Sequence, residues 1–170
     1  MKPQTMKTPP PAIAWVLEEG FFGYVGTSGK DGKPHITPVI FVYDGSSIFF
    51  ITSKSAKKLN NIRENDKIAF LVDIRDPLNL SNNKAVLVQG TARIISFLRA
   101  ITQVPRLLRV RSLFLKKYPK YAKAYREGRE RLPKAWQTTL FLRRVLVMVN
   151  IEKITYWRGA RRTVSICEEK

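Results

Sequence analysis

GTSGKDGKPHITPVIFVYDGSSIFFITSKSAKKLNNIRENDKIAFLV, residues Gly26 to Val72, decides how this chain folds. It begins in the tail of a strand, FFGYVGTS, and turns through GKDGKP, whose Gly and Asp suit a hairpin. HITPVIFVY follows as one long strand. Pro38 lacks the N–H that a ladder needs, so it marks an edge, a bulge or a broken ladder. Asp44-Gly45 turns the chain again into SSIFFIT, a third strand. SAKKLNNIREN then reads as a short helix and KIAFLVDI as a fourth strand.

Outward from this stretch the same alternation continues. Upstream, PPPAIAWVLEEG has prolines at a helix start, Ile13, Val16 and Leu17 on one side, and Gly20 as its stop. Downstream, DPLNLSNNK is a loop and KAVLVQGTARIIS a fifth strand, long enough to curve around a barrel. Residues 97–134 change character and read as helices broken near Pro105 and Pro119. Tyr118, Tyr121, Ala122 and Tyr125 recur on one helical face as an expected buried stripe. Strands return in LFLRRVLVMVNI, EKITYW and TVSI. The expectation is an α+β chain, mainly β: a small antiparallel barrel with a helical insert, folded as a single domain over residues 1–170.

Composition narrows the chemistry. At 170 residues and 44% hydrophobic content the chain buries a real core, and no apolar run reaches the roughly 18 residues of a membrane span. Three prolines before the first apolar patch make a poor secretion signal, so the expected compartment is the cytoplasm, with no membrane partner. His35 and Cys167 are the only histidine and cysteine, which excludes intrachain disulfides and multi-histidine or cysteine metal sites. Any redox chemistry must come from a borrowed cofactor, and no catalytic residue stands out.

Charge is distributed unevenly. From residue 93 onward there are 20 Lys and Arg against 5 Asp and Glu, a net of +15 out of the total +18. Such an excess favours anionic partners without naming one. Arg106, Arg109, Arg111, Lys116, Lys117, Lys120 and Lys123 form a candidate polyanion surface, and nucleic acid is the rival reading. No helix-turn-helix, zinc finger or RNP motif accompanies them.

The stretch TSKSAKKLNNIREND carries the candidate site. A phosphate monoester brings close to two negative charges and three acceptor oxygens. A helix N-terminus offers free N–H groups and the positive end of a dipole. Thr52, Ser53 and Ser55 add hydroxyls at that mouth. Lys57 and Lys58 lie in the first helical turn, where cations oppose the dipole unless an anion is present. Solvated lysines behind an ordinary hydroxyl cap are the plainer alternative.

In their order and spacing Asp31-Gly32, Pro34-His35, Pro38-Val39, Thr52-Ser53 and Lys58-Leu59-Asn60-Asn61-Ile62 resemble the pyridoxamine-phosphate-oxidase-like family of FMN-binding split β-barrels. The likeness runs through VQGTARI, and EKITYWRG resembles the family's last strand. It implies FMN bound without a covalent link, or alternatively the deazaflavin F420. Ser53, Lys57 and Lys58 would hold the phosphate, with Thr52 and Asn61 close by. His35, Ile36, Thr37 and Pro38 would line the ring, Gln89 would bond its polar edge, and Trp157 with Arg158 would approach from the partner of a homodimer. The implied activity is an oxidoreductase acting on a small, anionic substrate, with a cofactor carrier as the alternative. Vitamin B6 oxidases of this family carry an Arg and Lys pair in the second strand and an Arg-Leu-His motif near their end. Here TPVIFV is uncharged and the chain closes with WRGARRTVSICEEK, which argues against pyridoxine phosphate as substrate.

Overall fold

The structure, a computed structural model, describes residues 9–95, 101–130, 143–159 and 161–167. Helix α1 (Pro11–Glu19) leads into β1 (Gly23–Ser28), β2 (Pro34–Val39), β3 (Phe41–Tyr43) and β4 (Ser47–Ser53). Helix α2 (Lys57–Glu64) follows, then β5 (Lys67–Ile74), a 3-10 turn at Leu80–Asn82 and β6 (Lys84–Ile94). Helices α3 (Val104–Lys117) and α4 (Pro119–Glu130) precede β7 (Arg144–Arg158) and β8 (Arg161–Cys167). The outer parts of the expected insert, 97–100 and 131–134, lie outside the described residues, as does the start of LFLRR.

All eight strands among the described residues form one antiparallel sheet in the order β2-β1-β5-β6-β7-β4-β3, with β8 paired to β7. The expected long strand HITPVIFVY is in fact two. Ile40 alone separates β2 from β3, yet these strands occupy opposite ends of the sheet path. Only a strongly curled sheet brings its two ends within one residue of each other. The result is a split antiparallel barrel with an open seam between β2 and the β3–β4 hairpin. Pro38 sits in the edge strand at that seam, where its missing N–H breaks no inner ladder.

Two other boundaries differ from expectation. The last strands are not LFLRRVLVMVNI and EKITYW but a single 15-residue β7, whose first half pairs β4 and second half β8. The expected strand TVSI is the longer β8, which ends with Cys167 opposite Lys153. β6 bends at Gln89/Gly90, where the register slips. A Cβ on Gly90 would collide with the Asn150 carbonyl oxygen, so only glycine allows the two strands to approach there.

The barrel interior is apolar. Phe41, Phe50 and Phe70 are fully buried, with ring centroids 5.2 and 6.2 Å apart, and Ile13, Val16 and Leu17 of α1 close one end. Each such side chain contributes about 1.5–3 kcal/mol on burial. A second cluster forms on the outside of the β3–β4–β7 wall, where Val42, Phe49 and Met148 meet Val110 and Tyr118.

That second cluster corrects the reading of the insert. Tyr118 is buried, but Tyr121, expected in the same buried stripe, is 48% exposed. The Tyr118 hydroxyl accepts from the Phe41 N–H and lies 2.8 Å from the carbonyls of Phe21 and Phe41. Arg106 and Lys117, assigned to a polyanion surface, are turned inward. Arg106 Nε donates to Asp44 Oδ2 at 2.7 Å. Lys117 Nζ donates to the Leu17 carbonyl at 3.2 Å and sits 3.9 Å over the Phe41 ring. Both residues fasten α3 to the body instead of offering charge to solvent.

Burial pushes the Lys117 ammonium from the ordinary 10.5 down to about 8, against the opposing pull of Glu19 and Glu18. The unfolded lysine therefore holds a proton through a pH range in which the folded one has released it. Stability rises with pH across that range. Tyr43 and Tyr118, pushed up to about 12 by burial, act in the opposite sense above pH 10. The urea midpoint of the wild type is expected to climb between about pH 8 and 9.5. Lys117→Met removes that slope; an equal slope in the variant would refute the assignment.

Candidate functional site

Helix α2 begins without a cap. Its N-cap is Ala56, no side chain accepts from its first turn, and that turn holds no acid. The expected hydroxyl cap is not made: Ser53 and Ser55 bond each other instead, Oγ to Oγ at 3.0 Å. An Ala N-cap costs a helix about 0.5–2 kcal/mol relative to Ser or Asp. Free N–H groups, two exposed hydroxyls and adjacent lysines thus converge at the end of β4, with no negative charge from α2's own first turn to balance them.

The two lysines diverge, as successive residues of a helix must. Lys57 is exposed and opens on a groove of about 610 Å³ lined by Gly29, Lys30, Asp31, Ser55, Asn60 and Glu64. Lys58 is half-buried, and burial lowers its ammonium below the ordinary lysine range. Among the described residues it joins no ion pair. A desolvated cation without a counterion is unfavourable unless a ligand supplies the anion.

Asn61 and Thr52 are buried. The Asn61 amide donates to Thr27 Oγ1 at 3.1 Å and ties α2 to β1. Thr27, missed by the sequence reading, lies opposite His35 and reaches its carbonyl at 3.5 Å. Its only sequence signal is its place in the strand before the GKDGKP turn.

Strand β2 divides its four candidates between two faces. His35 and Thr37 share the inner face with Val25, Thr27 and Val39, while Ile36 and Pro38 point outward. Thr37 Oγ1 is buried with no hydrogen-bond partner. It sits beside the seam, where β2 has no neighbouring strand on its outer edge. A buried hydroxyl in need of a partner, a free strand edge and an anion-seeking helix end therefore border one opening. β2 touches both α2 and β4 across it.

Gln89 and Trp157 lie elsewhere. The register places Ile36, Gly26, Ala69 and Gln89 in one row on the outer sheet face, with Gln89 exposed. Three strand spacings, about 14 Å, separate Ile36 from Gln89. Trp157 is on that same outer face opposite Ala85, and exposed Arg158 alternates to the other side. Ile36, 69% exposed, and Tyr24 continue the face with half-buried Leu71 and Leu87. Seam residues and outer-face residues form two groups within one protomer.

The profile described as pyridoxamine 5'-phosphate oxidase matches residues 9–158, which spans most of the chain. The chain belongs to this family. It is 33% identical over 90 residues to a 5a,11a-dehydrotetracycline/5a,11a-dehydrooxytetracycline reductase of Streptomyces rimosus. That alignment covers 49% of this chain and 61% of the relative, so it spans less than two thirds of that protein. Among solved structures it is similar to an FAD-binding protein of Mesorhizobium loti, at TM-score 0.61 and 17% identity, over 88% of this chain and 95% of that one. An F420 reductase gives TM-score 0.56 at 22% identity, over 86% and 98%. At such identities the two structures speak for the fold. Among the described residues no helix is long and apolar enough to cross a membrane, and no cluster of His, Cys, Asp and Glu is arranged to hold a metal.

Proposed function

We propose that the seam beside α2 binds the phosphate end of FMN, and that the protein is an oxidoreductase working as a homodimer in the cytoplasm on a small anionic substrate. The observation that carries this is Lys58, a desolvated cation at an uncapped helix start, with no counterion among the described residues. Lys57, Ser53 and Ser55 would complete the phosphate cradle from the exposed side. The unpartnered Thr37 hydroxyl and the free edge of β2 suit the polar rim of a flat heterocycle. A bound flavin would supply the hydride or electron transfer; the chain's residues position it and shield it from water.

Gln89 and Trp157 enter this reading through a second copy. They lie on the apolar outer face with Ile36, Leu71 and Leu87, which a two-fold pairing would cover while bringing one protomer's outer face to its partner's seam. F420 is the alternative cofactor, favoured by the open groove beyond Lys57, which leaves room for a ligand that continues past its phosphate. Titration of the purified protein with FMN and with F420, followed by absorbance and by mass of the released ligand, separates the two. We expect saturation by one of them at one per protomer, on a species of dimer size. A protein that takes up neither at about 100 μM, some five powers of ten above nanomolar affinity, would sink the proposal.

A further inference from the structure

We propose that the outer face of α3 is a docking surface for an anionic membrane. The inner face of this helix is fully employed: Arg106, Val110, Leu113, Phe114 and Lys117 fasten it to the β3–β4–β7 wall and to α1. Its opposite face is not the polar surface such packing usually leaves. Val104, Leu108, Arg111 and Leu115 follow at i, i+4, i+7 and i+11, a single stripe down the solvent side. Leu108 is 58% exposed, Val104 48% and Leu115 45%, and Ile101 in the preceding turn is 58% exposed. Arg109 and Lys116 are exposed beside the stripe.

The charge around these apolar side chains is of one sign. No Asp or Glu occurs between Asp76 and Glu127, so α3 carries five cations and no acid. Two of the five are spent inward. Arg109, Arg111 and Lys116 have no carboxylate partner among the described residues. A helix kept soluble by its charges alternates signs, as in pairs four residues apart. One that lies in a headgroup layer instead offers leucines to the acyl boundary and cations to lipid phosphates. Nucleic acid would satisfy the arginines and leave the leucines in water. An exposed apolar row between cations therefore favours a lipid surface, and Lys120 and Arg126 on α4 extend the positive field, while Lys123 pairs with Glu127 at 3.8 Å.

Flotation of the full-length protein with phosphatidylcholine vesicles, with and without phosphatidylglycerol, tests this. We expect at least about tenfold more protein on the anionic vesicles, with release as salt rises. Leu108→Glu with Leu115→Glu, and separately Arg109→Glu with Arg111→Glu, should each remove most of that retention. All four side chains are exposed, so the urea midpoint should stay where it is. Equal recovery on neutral and anionic vesicles, or retention unchanged by either pair, overturns the proposal. So does vesicle retention below capture by duplex DNA when capture persists in the leucine variant.

Discussion

Replacing both Lys57 and Lys58 with alanine is expected to weaken flavin binding at least about 100-fold, since two charge-assisted contacts at about 1.5–3 kcal/mol each are lost. Lys58→Ala alone should account for most of it. That residue is already desolvated, and a cation freed of water interacts more strongly with a phosphate than an exposed one does. Without ligand the same change should leave stability level or slightly higher, because a half-buried charge with no ion-pair partner among the described residues has been removed. Ala56→Asp is the informative companion. An aspartate at the N-cap supplies the anion that α2 lacks, so it should stabilise the ligand-free protein by about 0.5–2 kcal/mol while excluding phosphate from the mouth. Opposite effects on stability and affinity mark a site kept unsatisfied for its ligand. If both alanine and aspartate variants bound FMN as tightly as the parent, the phosphate would have to lie elsewhere.

These residues were legible because their signals are local. Turns at Asp31-Gly32 and Asp44-Gly45 need nothing beyond the positive φ of Gly32 and Gly45, 71° and 99°, and both hairpins formed. Lysines in the first turn of a helix are anomalous on sequence alone. What could not be read depends on distant pairing. Whether HITPVIFVY is one strand or two turns on the barrel closing at Ile40, a property of the whole sheet. The split of His35 and Thr37 from Ile36 and Pro38 follows from strand alternation. Which face turned inward was decided only when Val39 joined the core. Arg106 looked like surface charge because its partner, Asp44, lies 62 residues away, and Tyr118 reaches Phe41 across 77. Patterning found the elements; their partners came from topology.

The Arg106–Asp44 pair is where the second large effect is expected. Asp44 is almost wholly buried and saturated: Oδ1 accepts from the N–H groups of Ser46 and Ser47 at 3.0 and 2.8 Å, and Oδ2 from Arg106. Burial alone would raise its carboxyl; the Arg106 bond and the two turn N–H groups outweigh that and hold it below the usual carboxylate range. Arg106 also donates to the hydroxyls of Ser46 and Ser47, both at 2.9 Å, so one guanidinium binds the whole β3–β4 turn to α3. Removing one member of a buried pair costs about 3–5 kcal/mol, and the partial exposure of Arg106 scales this to roughly 2–4 for Arg106→Ala. Asp44→Ala should cost more than Asp44→Asn, because asparagine still accepts from the turn while alanine leaves two N–H groups unpaired. Since the folded carboxyl titrates below its unfolded value, this stability is present above the unfolded range and is lost as pH falls through the folded one. The urea midpoint of the wild type should therefore drop in acid more steeply than that of Arg106→Ala. A change under about 0.5 kcal/mol in Arg106→Ala at neutral pH would mean that the apolar contacts of Val110 and Tyr118 hold α3 unaided.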